Sequence, residues 1–92
     1  MYKCLKITFN AQMPQGYLQK ALQKKVKKLS IEGVAQQLMD DFIKIIVCGA
    51  MEDVDTFLDI LYKELNDIEL DELQIEPFLK DRDYRGVFRI LE

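Results

Sequence analysis

The segment best suited to chemistry lies between residues 10 and 20, where a predicted strand leads into a predicted helix. The first backbone N–H groups of a helix point outward, and the helix dipole favours negative charge near them. The segment therefore predicts a site for a small anion such as phosphate. The residues of this predicted anion-binding loop are Met13, Pro14, Gln15, Gly16, Tyr17, Leu18 and Lys20.

Metal and redox chemistry have weaker support in the sequence. The chain has no histidine, which removes a common zinc ligand and imidazole acid–base chemistry. Acid pairs such as Asp40-Asp41 could ligate a hard cation, but we expect them to form turns and helix starts instead. Cys4 and Cys48 have no metal-ligand spacing. We expect them to be small buried apolar residues on neighbouring strands rather than a redox pair, and we expect no cofactor and no metal.

Length and composition limit the class of protein. Ninety-two residues, of which 49% are hydrophobic and 32% are charged, predict one soluble domain over residues 1–92. No apolar run approaches the roughly 20 residues that span a bilayer, and the first residues lack the apolar core of a signal peptide. We therefore expect no membrane contact and a cytoplasmic location, where cysteines stay reduced.

The net charge of −3 is unevenly distributed along the chain. Residues 1–30 hold seven lysines and no acid, whereas residues 31–92 hold six basic and sixteen acidic residues. A basic half can contact nucleic acid, but lysines alone give nonspecific affinity that depends on salt. No aromatic pair on a central strand is placed to stack on bases. We interpret the basic half as a solvated helix face and expect no nucleic-acid partner.

Hydrophobic periodicity predicts alternating strands and helices. Apolar residues alternate in the strands and recur at three- and four-residue steps in the helices. Strands are predicted at residues 2–9, 31–38, 42–48, 70–79 and 84–91, and helices at 17–29 and 51–66. A tight turn at Asp40-Asp41 makes a hairpin, and a charged turn at 80–83 separates the last two strands. This order, β-α-β-β-α-β with an extra C-terminal strand, predicts a ferredoxin-like α+β sandwich with two helices on one face of an antiparallel sheet.

Several landmarks make the chain resemble the acylphosphatase family. The segment Leu29–Gly33 is similar to the family's L-G-L-x-G, and Val54, Phe57 and Leu61 match its A-V-x-x-F-x-x-x-L helix. The hairpin ending at Gly49 and the closing segment Gly86–Ile90 also resemble the family pattern. The resemblance covers nearly the whole chain. It implies the ferredoxin-like fold and, as an activity, hydrolysis of the carboxyl-phosphate bond of acyl phosphates.

The resemblance also locates the family's functional positions in this sequence. Without gaps, the catalytic arginine falls on Gln19 and the catalytic asparagine falls on Gln37. Glutamine lacks the charge and the bidentate fork with which arginine holds phosphate. Gln37 is one methylene longer than asparagine, so a water that it orients would be displaced.

The loop itself also departs from the family pattern. Two family glycines fall on Gln15 and Tyr17, and Pro14, which donates no N–H, takes the place of a glutamine. A shift of one residue would instead place Gln15-Gly16 on the family's Q-G and Lys20 on the arginine, but it requires a deletion inside the helix.

These departures predict an acylphosphatase-like domain that has lost acyl-phosphate hydrolysis. Such a domain would bind a small anion or a partner protein through the loop or a sheet edge, and the exposed edge also permits a homodimer. The alternative is a weak or divergent acylphosphatase in which Gln19 or Lys20, together with Gln37, takes a substitute role.

Overall fold

The chain folds in the predicted order of strands and helices. The computed structural model describes residues 1–79 and 84–91, so the predicted turn at 80–83 lies outside the described residues. A short 3₁₀ turn, Met39–Asp41, takes the place of the tighter turn predicted in the hairpin. The elements are β1 (Tyr2–Asn10), α1 (Tyr17–Val26), β2 (Ile31–Gln37), β3 (Phe42–Ala50), α2 (Met51–Glu64), β4 (Asp71–Pro77) and β5 (Phe88–Leu91).

The five strands form one mixed sheet in the order β4-β1-β3-β2-β5. Strand β1 is antiparallel to β3 and β4, and β2 is antiparallel to β3, as in the predicted hairpin. Strand β5 departs from the prediction because it pairs with β2 in the parallel direction. The last two strands therefore occupy opposite edges of the sheet. The architecture is the predicted ferredoxin-like α+β fold.

The core lies between the helices and one face of the sheet. Ile7 and its register partner Ile45 belong to this face, and both are fully buried. Burying an aliphatic or aromatic side chain of this size contributes about 1.5–3 kcal/mol. The Tyr17 hydroxyl donates to the Glu64 carbonyl oxygen at 3.1 Å, which ties the start of α1 to the end of α2. The buried helix residues that meet this face are Leu18, Leu22, Val26, Val54, Phe57 and Leu61.

Two element ends differ from the prediction by three or four residues, namely the end of α1 and the start of β5. Helix α1 ends at Val26, and the Leu29 N–H donates to the Val26 carbonyl at 3.0 Å in the following turn. Leu29 still packs on the core, so its apolar side chain extended the predicted helix. Strand β5 begins at Phe88 rather than at residue 84, because the Val87 N–H closes a turn on the Tyr84 carbonyl. No helix in the described ranges is long and apolar enough to cross a membrane.

Gly33 allows β2 and β3 to approach closely. Its φ is +143°, and a Cβ at this position would lie 1.9 Å from the Ile46 carbonyl oxygen. A side chain at residue 33 would therefore force the two strands apart as well as strain the backbone. The close packing of β2 against β3 therefore explains the glycine at position 33 of the Leu29–Gly33 landmark without any role in ligand binding.

The sheet face away from the helices carries a second, smaller apolar cluster, in which Phe78 and Tyr84 pack against buried strand residues. Cys4 and Cys48 lie directly opposite each other on β1 and β3 and form a disulfide. The prediction of two unpaired thiols was wrong, because facing positions on antiparallel strands bring these Cα atoms to 4.1 Å. Because these cysteines are joined in a disulfide, they give no support to the predicted cytoplasmic location, where cysteines stay reduced.

Candidate functional site

The loop between β1 and α1 is fixed by its own hydrogen bonds. The Tyr17 N–H donates to the Pro14 carbonyl, and the Lys20 N–H donates to the Gly16 carbonyl, both at 3.1 Å. Gly16 precedes the helix in the left-handed conformation, with φ 85°, which glycine adopts at little cost. The loop therefore makes a tight turn at Pro14–Tyr17 and enters α1 directly.

The side chains of the predicted loop residues point in different directions. Met13 and Leu18 are buried in the core, and the Tyr17 hydroxyl is bound to α2. These three residues can offer a ligand only their backbone. Pro14 and Gln15 are exposed at the tip of the loop.

Gln37 lies against the loop from the end of β2. Its side-chain Nε2 donates to the Met13 carbonyl oxygen at 3.4 Å, a long hydrogen bond. The position that the resemblance assigns to a water-orienting asparagine is therefore beside the loop. Its amide N–H, however, is directed at a loop carbonyl.

Gln19 and Lys20 are exposed in the first turn of α1 and line a shallow cavity of about 420 Å³. Gly16, Gln23 and Lys24 complete the lining. Within the described residues, Lys20 and Lys24 form no ion pair, whereas Lys25 pairs with Glu64. The cavity at the start of α1 therefore carries positive charge that no described carboxylate neutralises.

Gln23 and Lys24 lie outside the predicted anion-binding loop. They follow Gln19 and Lys20 by four residues, the spacing that places side chains on one helix face. This spacing was visible in the sequence and could have added both residues to the predicted site.

Acidic residues line a second cavity, of about 500 Å³, at the beginning of the same loop. Asp41, Asp67, Glu69 and Asp71 contribute its carboxylates, beside Asn10 and Gln12. Their negative charge opposes anion binding on this side of the loop. Within the described residues, no group of three or more acids or cysteines is placed to hold a metal ion. An anion is therefore favoured only on the α1 side.

No family model matches the sequence, and no curated protein does. Solved structures do match the fold. An acylphosphatase from Coxiella burnetii has a TM-score of 0.74 at 17% identity, over 97% of this chain and 92% of that chain. The acylphosphatase from Bacillus subtilis has a TM-score of 0.76 at 12% identity over 100% of both chains. BlrB, a BLUF protein, has a TM-score of 0.68 at 13% identity, over 98% of this chain and 71% of that chain.

The chain therefore has an acylphosphatase-like fold. A BLUF protein shares the same arrangement of strands and helices, and one fold hosts many functions.

Proposed function

We propose that this chain is an acylphosphatase-like domain that does not hydrolyse acyl phosphates and that binds an anion at the start of α1. The anion is a small molecule such as phosphate or an acidic group of a partner protein. The observation that supports this proposal is the cavity lined by Gln19, Lys20 and Lys24, with two lysines that have no ion pair in the described residues. Backbone N–H groups at a helix start and cations both favour an anion there.

Two features of the loop oppose catalysis. Gln19 presents an uncharged amide at the position on which the resemblance without gaps places the family's arginine, so the charge that would stabilise a phosphoryl group is missing. Gln37 directs its amide N–H at the Met13 carbonyl, and it would have to leave this contact to orient a water molecule. Binding needs neither the charged fork nor the positioned water, so both features are compatible with a binding domain.

The alternative function is a weak or divergent acylphosphatase. The proximity of Gln37 to the loop favours it, because an amide is present where the resemblance requires one. Lys20 could then act as a point charge on the phosphoryl group.

Steady-state hydrolysis of acetyl phosphate distinguishes the two functions. We expect the wild-type chain to release phosphate no faster than buffer alone. Turnover that is present in the wild type and absent from both Gln19→Ala and Gln37→Ala would overturn the non-catalytic proposal and establish the alternative.

Titration with inorganic phosphate, followed by amide chemical shifts, tests binding separately. We expect shifts at Gly16, Gln19 and Lys20, and a Kd that Lys20→Ala and Lys24→Ala each raise about two- to fivefold, as for a charge at a helix terminus. Lys28→Ala is the matched control, since it removes the same charge about 12 Å further along the helix direction. Equal effects of all three variants would contradict a localised site, and absence of any shift would contradict small-anion binding.

A further inference from the structure

In the part of the chain that the structure describes, the sheet is open at both ends, and the two edges differ in charge. Within the described residues, β4 pairs only with β1, and β5 pairs only with β2. Residues 69–77 hold four acids and no base, whereas residues 84–91 hold two arginines and no acid. Each edge offers unpaired backbone groups to another strand.

The backbone groups that β5 offers can be derived from its pairing. The Gly33 N–H of β2 donates to the Val87 carbonyl at 3.0 Å. Along a parallel strand, successive residues direct their N–H and C=O groups alternately to the two sides. Arg89 and Leu91 therefore face β2, and the N–H and C=O groups of Phe88 and Ile90 face outward.

The backbone groups of β4 also alternate between the side that faces its neighbour and the open side. The Phe78 N–H donates to the Cys4 carbonyl of β1 at 3.0 Å, so residues 76 and 74 also face β1. The backbone groups of Ile75 and Pro77 then face outward. Proline is tolerated at an open edge because its missing N–H breaks no ladder bond there.

Apolar surface accompanies both edges. A groove of about 510 Å³ runs between α1 and β5, with Val26, Phe88 and Ile90 in its lining and Lys27 on the helix side. On β4, Leu73 is 41% exposed and Ile75 is 37% exposed. Ile75 is in register with Ile7 and shares the sheet face that carries the helices. One edge therefore has an open apolar groove, and the other has apolar side chains without full cover.

Charge selects one way of joining these edges. Two β4 edges would bring acid against acid, and two β5 edges would bring together the lysines of both α1 helices and both copies of Arg89. Only the pairing of β4 with β5 brings opposite charges together.

Strand direction allows this pairing between copies in the same orientation. β4 runs antiparallel to β1, and the remaining pairings make β5 run in the direction of β1. A second copy beside β5 would therefore present β4 as an antiparallel neighbour, with its helices on the same face. Pairing Ile75 with Ile90 in this ladder places Glu76, which forms an ion pair with Lys6 of β1 in its own copy, opposite Arg89.

We propose that the β4 edge of one copy of this chain docks on the β5 edge and the α1–β5 groove of a second copy. The interface joins two different surfaces, so each copy keeps one open edge and association continues along the sheet. The inference does not rest on the anion site, because neither phosphate binding nor hydrolysis enters the argument.

Sedimentation of the full chain at increasing concentration tests self-association. We expect the average mass to rise above that of one chain between about 10 µM and 1 mM, and added salt to reverse the rise because the edges attract by charge. A wild-type chain that stays monomeric up to about 1 mM would overturn the proposal.

Charge reversal on each edge identifies the interface. One variant carries Asp71→Lys and Glu76→Lys on β4, and the other carries Lys27→Glu and Arg89→Glu beside the groove. Each variant alone then has like charges at positions 76 and 89, which face each other in this ladder, and we expect its association constant to fall about tenfold or more. An equimolar mixture restores opposite charges at positions 76 and 89 wherever one variant docks on the other, and we expect it to associate as the wild type does.

Glu52→Lys with Asp59→Lys on α2 is the matched control for the β4 variant, because both doubles change the net charge equally. We expect this control to associate like the wild type or more strongly, since lower net repulsion accompanies an intact interface. Unfolding curves check that every variant is folded. A mixture that fails to associate although both variants are folded, or a β4 variant that behaves like the α2 control, would overturn the interface.

If a charge-reversal variant fails to fold, amide exchange of the wild-type chain tests the same interface without any substitution. We expect Ile75, Phe88 and Ile90 to become more protected as concentration rises. Protection that does not change at these three amides while the mass increases would place the contact elsewhere and overturn the proposal.

Discussion

Gln19 and Gln37 differ in what each side chain can contribute to a bound anion. Gln19 is exposed beside Lys20 and lines the cavity at the start of α1. Gln37 approaches the loop from the sheet and donates to the Met13 carbonyl. The resemblance to acylphosphatases implies a cation at the first position and a shorter amide at the second for catalysis, so restoring either residue alone would leave the implied site incomplete.

The double substitution Gln19→Arg with Gln37→Asn tests whether the loop still accommodates a phosphoryl group. We expect hydrolysis of acetyl phosphate to rise about tenfold above the rate in buffer alone, which we expect the wild type not to exceed. This is less than the roughly 10²–10³ expected per restored donor, because Pro14 has no N–H and the Tyr17 N–H is bound to the Pro14 carbonyl. Gln23→Arg with Gln37→Asn places the same charge one turn further and should give no gain. No gain in either double would mean that the loop has closed.

Gly33→Ala tests the close approach of β2 and β3. The added Cβ would lie 1.9 Å from the Ile46 carbonyl oxygen at a φ that suits only glycine, so we expect a loss of about 3 kcal/mol or more in the free energy of unfolding. Gly86→Ala is the control, because it also has positive φ (+69°) but no atom within 4 Å of the new Cβ, and it should cost about 1 kcal/mol. Urea unfolding measures both. Similar losses would refute the steric explanation.

At the scale of elements, Glu32 fixes the segment that leads into β5. This carboxylate is only 8% exposed. It accepts hydrogen bonds from the Tyr2 hydroxyl at 2.6 Å and from the Gly86 N–H at 2.7 Å. It thereby connects β1, β2 and the turn before β5. Within the described residues, β5 has four residues and pairs with one strand.

Glu32→Ala removes the two carboxylate oxygens that accept these hydrogen bonds. The Tyr2 hydroxyl and the Gly86 N–H, both partly buried, then lose this acceptor. We expect a loss of about 2–3 kcal/mol in the free energy of unfolding, and about 1 kcal/mol for Tyr2→Phe, which removes one donor and leaves the carboxylate bound to Gly86. Urea unfolding of both variants checks the order. If Tyr2→Phe costs as much as Glu32→Ala, the contact with Gly86 does not anchor β5.

The disulfide between Cys4 and Cys48 joins β1 to β3 across a sequence separation of 44 residues. Closing a loop of this length restricts the unfolded chain and contributes about 2–4 kcal/mol. We expect a thiol reductant to lower the midpoint of urea unfolding of the wild type by a corresponding amount. The double Cys4→Ala, Cys48→Ala variant should be insensitive to reductant. Equal sensitivity would show that the effect does not come from this bond.

The strands and helices could be predicted because each one buries a single face, so its apolar residues recur at a regular spacing. In β1, for example, Ile7 and Phe9 are two residues apart and both are buried. The ends of the elements could not, because Leu29 packs on the core after α1 has ended. The resemblance led to Gln37 beside the loop, and helical spacing would have added Lys24. The disulfide and the α1–β5 groove depend on strand register and on the approach of α1 to β5, which periodicity within one segment does not encode.

At the scale of the whole molecule, resistance to opening should decrease from the centre of the sheet to its edges. β1 and β3 each lie between two strands, and their residues Ile7 and Ile45 are fully buried. β4 is exposed along its whole length, and β5 is short. Edge elements with little burial open without global unfolding, whereas central strands open only with it.

Hydrogen exchange at low concentration, where copies do not meet, measures this gradient. We expect the amides of Ile7 and Ile45 to exchange at least about 100-fold more slowly than that of Arg89, whose hydrogen bond to β2 lies at the open edge. Reduction of the disulfide should speed exchange in β1 and β3 much more than in β5, because Cys4 and Cys48 join the central strands. Uniform protection over all five strands would mean that the sheet opens only as one unit, and that β5 is not free to accept a second copy by local adjustment.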